Sequence, residues 1–279
     1  MSTELVLLGT AGGPTPKRTR SAPAQAIVTG GGTYIVDCGN GVARQLARAS
    51  IPFDSMRAVF VTHHHSDHVA DYGNLFLLAW ATNWSSPVDA YGPPPLRAMT
   101  ERFLELNEFD IATRIADEGR PPLRPLITAH ERTTAGVVHF DDDVRVTAAL
   151  VDHPPIPTAF AYRFDTADRS IVVSGDTTVC PALIELARGA DVLVHEVLYP
   201  PAIDAIVARS NAATLRQHLV RSHTSVEDVG AVAQAAGVGT LVLSHFVPSD
   251  GGISDERWHA LASRGFDGEV IVGRDLLVI

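Results

Sequence analysis

Cysteine is scarce in this chain, which has only Cys38 and Cys180 among its 279 residues. So few cysteines exclude the disulfide framework of a small secreted domain. Long apolar runs are also missing, so no segment has the length needed to cross a bilayer. The chain enters a strand at once, without a charged and then apolar leader. We therefore expect a cytoplasmic protein that makes no membrane contact.

Positive charge is in short supply as well. The sequence has 22 Lys and Arg against 32 Asp and Glu, which gives a formal net charge of −10. Because loose binding to nucleic acid needs a basic surface, this balance disfavours it, although a local basic patch remains compatible with the sequence. The densest basic patch is residues 16–20, which we interpret as a solvated loop in preference to an anion contact.

Low-complexity tracts and repeats of fixed period are not found either. With 46% hydrophobic residues the chain can bury a sizeable core, and we expect a single domain over residues 1–279. A proline run at Pro93–Pro95 is followed by a helical pattern. We interpret residues 85–125, approximately, as a helical insertion that serves either as a lid over the site or as the surface of a homodimer.

The histidine-rich stretch after residue 62 is the strongest feature of the sequence. Ala58–Val61 predicts a short buried strand, and the ligand-type residues that follow it are His63, His64, His65, Asp67 and His68. Because residues two apart in an extended chain point the same way, His63, His65 and Asp67 can converge on one side. His68 would then reach a second ion. Imidazole and carboxylate groups bind zinc, and a metal pair about 4 Å apart is a geometry used for hydrolysis.

Further ligand-type residues follow other predicted strands, at His153, Asp176 and His245. Asp176 could bridge two ions with its two carboxylate oxygens, or it could cap the helix that follows. Open sheets place their ligand sites where strands end, so we expect these residues to join the histidine-rich stretch in one site.

Other residues are candidates for supporting this site. Asp37 could hold the histidine loop through hydrogen bonds, or it could simply form a turn. His195 and Glu196 follow an apolar strand, and they could either support the metal ligands or have a structural role. Trp80 and Trp84 lie on a helix predicted to begin beside the metals, where they either pack in the core or line a substrate pocket.

The order of these motifs resembles the metallo-β-lactamase superfamily. The matching segments are 8–14, 36–39, 62–68, 174–177, 223–225 and 243–245. Within the superfamily, the chain is most similar to the branch of tRNA 3′-end-processing ribonucleases with their phosphodiesterase and arylsulfatase relatives. The resemblance implies an α/β fold, an αββα sandwich of two mixed sheets flanked by helices.

The resemblance also implies a set of ligands for two metal ions. One ion would be held by His63, His65 and His153, and the other by Asp67, His68 and His245, with Asp176 shared. Nitrogen and oxygen donors of this kind suit two zinc ions, with manganese or iron as alternatives.

Two departures from the family pattern concern tRNA. Members that process tRNA carry a long arm before the strand that leads to the shared aspartate, whereas here only residues 165–169 fill that gap. Those members also have a glutamate three residues before that aspartate, where this chain has Val173. Both differences predict that tRNA is an unlikely partner and that the substrate is a small anionic or ester molecule.

The function implied is that of a hydrolase in which a metal-bridging hydroxide attacks the substrate. Asp67 would orient the hydroxide and take its proton, and His223 would protonate the leaving oxygen. Because Val173 leaves His223 without an obvious orienting partner, we expect phosphodiesters with a good leaving group. The alternatives are an arylsulfatase or a lactone or ester hydrolase, and a non-catalytic or RNA-binding protein.

Overall fold

Two seven-stranded sheets form the centre of the computed structural model, which describes residues 2–250 and 252–279. The strands of the first sheet, in spatial order, are β14 (Leu277–Val278), β1 (Glu4–Gly9), β2 (Ala24–Val28), β3 (Thr33–Val36), β4 (Met56–Phe60), β5 (Val88–Gly92) and β6 (Ile127–Glu131). Pairing is antiparallel from β14 to β3 and parallel from β3 to β6.

The second sheet has the same mixed character. Its strands, in spatial order, are β13 (Glu269–Val272), β12 (Thr240–Val247), β11 (Val192–Leu198), β10 (Ser170–Val173), β9 (Ala159–Thr166), β8 (Val144–Val151) and β7 (Gly136–Phe140). Pairing is antiparallel from β7 to β10 and parallel from β10 to β13. The parallel half of each sheet directs its carboxyl ends to one edge, where open sheets bind ligands.

Helices cover the outer faces of both sheets. They are α1 (Val42–Arg48), α2 (Ser66–Val69), α3 (Tyr72–Ala81), α4 (Leu96–Leu106), α5 (Glu108–Glu118), α6 (Pro181–Leu186), α7 (Ile203–Val207), α8 (Leu215–Ser222), α9 (Val229–Ala236) and α10 (Asp255–Ala262), with short 3-10 turns at Phe53–Ser55, Arg124–Leu126 and Pro200–Ala202. Within the described ranges, none of the helices combines the length and the apolar character that crossing a membrane requires.

Apolar residues fill three layers, one between the sheets and one beneath the helices on each outer face. Strand β11 shows how the sequence creates them. Val192 and Val194 point between the sheets, while Leu193 points to the helices, so both faces of this parallel strand are apolar. The predicted αββα sandwich of two mixed sheets flanked by helices is confirmed.

The segment near residues 85–125 is only partly an insertion. It begins with β5, which pairs with both β4 and β6 inside the first sheet. The predicted helical pattern corresponds to two helices, α4 and α5, which meet at Asn107. Helix α5 has no buried residue, and Phe109 at its start is 87% exposed. The choice between a lid and a homodimer surface therefore stays a prediction.

Candidate metal centre

The histidine-rich stretch lies directly after β4, and its residues come from a loop and from the first turn of α2. Asp67 and His68 belong to α2, and His63 lies in the loop before it, where all three side chains are buried. As expected from the alternation, His64 points away and donates a hydrogen bond from Nε2 to the Pro93 carbonyl at 2.7 Å. The loop therefore presents alternate residues to one point.

Three histidine nitrogens meet beside Asp176. The Nε2 atoms of His63 and His153 each lie 3.1 Å from His65 Nδ1, and each lies 3.9 Å from Asp176 Oδ2. Nitrogens bound to a tetrahedral zinc at about 2.0–2.1 Å lie roughly 3.3 Å from one another. The separations in this group are those of a metal site.

A second group shares the same aspartate. His245 Nε2 lies 3.3 Å from Asp67 Oδ2 and 3.2 Å from Asp176 Oδ2. His68 Nε2 approaches the other oxygen of Asp176, Oδ1, at 3.3 Å. Asp176 Oδ2 thus faces both groups, while Oδ1 faces His68 of the second group. All seven predicted ligand residues converge on one place.

Backbone strain helps to bring His245 into this group. Opposite β11, the ladder pairs Ser244 and Phe246 and skips His245, which forms a bulge with a φ of +45°. A bulge of this kind redirects a side chain at the edge of a sheet. A left-handed conformation is costly for a residue other than glycine, and such strain is characteristic of functional sites.

Two buried acceptor atoms indicate that a cation fits between these groups. His68 Nδ1 donates to Asp37 Oδ2 at 2.7 Å, so Nε2 of a neutral ring carries a lone pair. Neither His68 Nε2 nor Asp176 Oδ1 has a hydrogen-bond partner in the described part of the chain, although both are buried. A histidine that binds a metal is neutral, and in that state these two acceptors would face each other in the interior at a cost that a divalent cation removes. The His and Asp cluster thus indicates divalent metal ions.

The charges of the cluster favour ionised carboxylates. Burial raises the pKa of Asp176, but the neighbouring His245 and His68 outweigh this effect and hold that pKa well below its usual value. Burial likewise raises the pKa of Asp67, and His68 and His245 again lower it below the normal range. Both carboxylates are therefore available as metal ligands at neutral pH.

Asp37 supports the ligands from behind. Its carboxylate accepts hydrogen bonds from the Thr62 backbone N–H at 2.8 Å, from the Thr62 hydroxyl and from His68 Nδ1. The Thr62 hydroxyl also lies 3.1 Å from His63 Nδ1. One carboxylate thus orients two ligand histidines, which matches the expected supporting role better than the alternative of a simple turn.

His153 is oriented by the end of α8. Its Nδ1 lies 2.8 Å from the carbonyl oxygen of Ser222, and because a carbonyl can only accept, the ring donates from Nδ1. This leaves His153 Nε2 free to face the other ligands.

His223 follows α8 directly and has a partner that the sequence did not reveal. Its Nδ1 lies 3.0 Å from Glu196 Oε1, which also accepts from the Thr177 backbone N–H at 3.0 Å. The prediction that Val173 leaves His223 without a carboxylate is therefore wrong, because β11 supplies Glu196 instead. Burial lowers the pKa of His223, but the carboxylate of Glu196 outweighs this and raises the pKa to about 9.

His195 does not reach the ligands, in contrast to the predicted supporting role. Neighbouring residues of a strand point to opposite faces, so His195 and Glu196 cannot both face the site. His195 is fully buried and its Nδ1 donates to the Glu196 carbonyl at 2.7 Å. The supporting position belongs to Glu196.

Trp80 and Trp84 are also placed away from the site. Both are 1% exposed and pack in the apolar layer beneath the helices of the first sheet. Trp80 Nε1 donates to the Pro121 carbonyl at 2.8 Å. Side chains enclosed in this way cannot line an open substrate pocket, so the alternative of core packing applies.

One residue beside the cluster was not predicted from the sequence. His218, on α8, has its ring centre 5.8 Å from those of His65 and His223 and 6.0 Å from that of His153. Burial lowers its pKa, so the ring is neutral at pH 7. The sequence signal for His218 was its position, one turn before the end of the helix that leads into His223.

The chain is similar to proteins of a known family along most of its length. A family model described as a β-lactamase superfamily domain matches residues 33–246. Ribonuclease Z from Mycobacterium bovis is 36% identical over 276 residues, covering 98% of this chain and 96% of that protein. Ribonuclease Z from Mycobacterium marinum is also 36% identical, over 277 residues, with the same coverage of both chains.

Solved structures with the same fold are more distant in sequence. Human short-form tRNase Z superposes with a TM-score of 0.71 at 22% identity, over 99% of this chain and 98% of that one. The metallo-β-lactamase fold protein YhfI from Bacillus subtilis gives a TM-score of 0.73 at 20% identity, with the same coverage of both chains.

These relatives overturn the prediction about partners. A small-molecule substrate, with tRNA unlikely, conflicts with full-length relatives that are named ribonuclease Z. The short turn between β9 and β10 is present as expected, but it is not sufficient to exclude tRNA as a partner. The chain belongs to the metallo-β-lactamase superfamily, in which it is a ribonuclease Z-like, metal-dependent hydrolase.

Proposed function

We propose that this protein is an endoribonuclease that hydrolyses a phosphodiester bond in tRNA-type transcripts. The observation that carries the proposal is the buried pair of His223 and Glu196 next to the metal ligands. A ribose oxygen is a poor leaving group and needs a proton, which a histidine held by a carboxylate can supply. The relatives named ribonuclease Z support the same substrate class.

The two ligand groups described above would each hold one ion, with Asp176 between them. We propose zinc for both, because imidazole and carboxylate donors suit it, with manganese or iron as alternatives. When bound, such ions supply Lewis acidity to the phosphoryl oxygens and lower the pKa of a bound water.

The chain's own residues perform the proton transfers. Asp67 is ionised, and its Oδ2 is fixed by a hydrogen bond from the Gly13 N–H at 3.0 Å. It can orient the attacking water and accept its proton. His223 is protonated at neutral pH and can donate to the leaving oxygen, while Glu196 holds the ring in place.

The expected preference for good leaving groups no longer follows. It depended on His223 lacking an orienting partner, and Glu196 is that partner. Because Glu196 orients His223, this histidine can protonate an alkyl oxygen of ribose, so the leaving group need not be an aryl oxide. The arylsulfatase alternative gains no support from relatives that are named ribonuclease Z.

Cleavage of a tRNA transcript with a 3′ extension, by metal-loaded protein, tests the proposal. We expect a single cut in wild type, and a loss of about 100-fold or more in His223→Ala, because a general acid contributes at least that much. His259→Ala is the matched control, since His259 is exposed on α10, outside the cluster. Wild-type protein that hydrolyses bis(p-nitrophenyl) phosphate but leaves the transcript intact would refute the proposed substrate.

A further inference from the structure

His218 lies beside the part of the candidate metal centre that is nearest to solvent. His65 is the most exposed of the seven ligand residues, so the centre opens to solvent on the side of His65. The His218 ring is 5.8 Å from that of His65 and is itself partly exposed. It is also 5.8 Å from the ring of His223. His218 therefore borders the opening, beside the acid.

The hydrogen bonds of Ser222 determine which nitrogen of His218 carries the proton. The Ser222 hydroxyl donates its only proton to the Pro154 carbonyl. It can therefore only accept from His218 Nδ1, which lies 3.3 Å away. A neutral His218 then carries its proton on Nδ1, and Nε2 is a bare acceptor.

A hydrogen-bond acceptor at this position can pair only with a group that donates a hydrogen bond. Phosphate oxygens only accept hydrogen bonds, so they do not pair with a bare nitrogen. In RNA, the donor nearest to a scissile phosphodiester is the ribose 2′-hydroxyl, which is bonded to the carbon next to the one that carries the 3′-oxygen. The 5′-oxygen has no hydroxyl at an adjacent carbon.

We propose that His218 is a substrate-binding residue that accepts a hydrogen bond from the 2′-hydroxyl of the nucleotide whose 3′-oxygen His223 protonates. The two neighbouring histidines would thus contact two neighbouring oxygens of one ribose. No bond is made or broken by His218, which positions the leaving nucleotide and discriminates RNA from DNA. This inference rests on the proposed function.

A double-mutant cycle between the side chain and the hydroxyl tests the inference. The cleavage site is first mapped on the 3′-extended tRNA transcript, and a single 2′-deoxynucleotide is then placed immediately 5′ to it. For wild type, kcat/KM should fall about tenfold on this substrate, the size expected for one hydrogen bond. His218→Phe keeps the packing of a ring but has no acceptor, so it should lose about tenfold on the all-ribose transcript and be insensitive to the deoxy substitution.

Three controls make the result specific. A 2′-deoxynucleotide immediately 3′ to the cut should show no coupling with residue 218. His218→Gln, which offers an amide oxygen as acceptor, should restore sensitivity to the hydroxyl. Gln217→Ala changes an exposed neighbour on α8 and should behave like wild type.

The outcomes separate this inference from the proposed function. If wild type cuts the transcript and the deoxy substitution costs His218→Phe as much as it costs wild type, the inference is wrong and the proposed function stands. A cut that leaves a 2′,3′-cyclic phosphate also overturns it, because the 2′-oxygen would then be the nucleophile. Wild type that cuts no RNA, but hydrolyses bis(p-nitrophenyl) phosphate, refutes the proposed function and the inference with it.

Discussion

At the scale of single residues, the site is organised by groups that fix the orientation of each histidine. Asp37 holds His68, the carbonyl of Ser222 holds His153, and Glu196 holds His223. Each partner takes one ring nitrogen and leaves the other free to act on a metal ion or on the substrate. The convergence of the candidate ligands was predictable from spacing and chemistry, whereas these partners come from distant strands and helices.

The pair of Glu196 and His223 predicts a change in pH dependence. Since activity needs protonated His223, wild type should lose kcat as the pH rises through about 9. In Glu196→Gln the amide keeps the hydrogen bonds from the backbone but has no charge, so burial lowers the pKa of His223. We expect the alkaline limb of the kcat profile to move down by about two pH units, because an adjacent opposite charge shifts a pKa by about 1–3 units.

The measurement is the pH profile of transcript cleavage by metal-loaded wild type and Glu196→Gln. An acidic limb that is the same in both proteins serves as the internal control for metal binding. An unchanged alkaline limb in Glu196→Gln would show that His223 is not the acid, or that Glu196 does not control it.

At the scale of elements, strand ends explain what could be predicted and what could not. Buried strands that end in ligand-type residues correctly indicated where the chain converges. Both His195 and Glu196 were candidates for a supporting role, and the sequence did not decide between them because the choice depends on the strand face, which one residue reverses. In the edge strands β6 and β7 only Val138 is buried, and neither strand shows clear alternation, so the sequence did not predict them.

The loop between β1 and β2 reaches the site at Gly13 and carries basic residues beyond it. Gly13 donates to Asp67, and Lys17 and Arg18 follow a few residues later without an acidic partner in the described ranges. We expect Lys17→Ala combined with Arg18→Ala to raise KM for the transcript and to reduce its salt dependence by about one unit of slope per lost phosphate contact.

The control for this loop is Arg188→Ala, which removes an exposed arginine paired with Glu185 after α6. Hydrolysis of bis(p-nitrophenyl) phosphate should not change in the double variant, because this substrate has no neighbouring phosphates. If the salt dependence of RNA cleavage is the same as in wild type, the loop is only solvated, as the sequence alone suggested.

At the scale of the whole molecule, a net charge of −10 coexists with relatives that are named ribonucleases. Net charge describes an average over the surface, so it disfavours loose binding of nucleic acid but does not exclude a local contact. The fold could be predicted because the motif order covers nearly the whole chain. The substrate could not be predicted, because the missing arm and Val173 do not indicate which other residues replace the family's contacts.

The proposed function requires that one cluster of histidines and aspartates binds a pair of metal ions. Elemental analysis of the purified protein, after removal of metal and dialysis against zinc, tests it most directly. We predict about two ions per chain in wild type, and fewer in Asp176→Asn, because this carboxylate faces both ligand groups. A wild-type protein that takes up no metal would contradict the account.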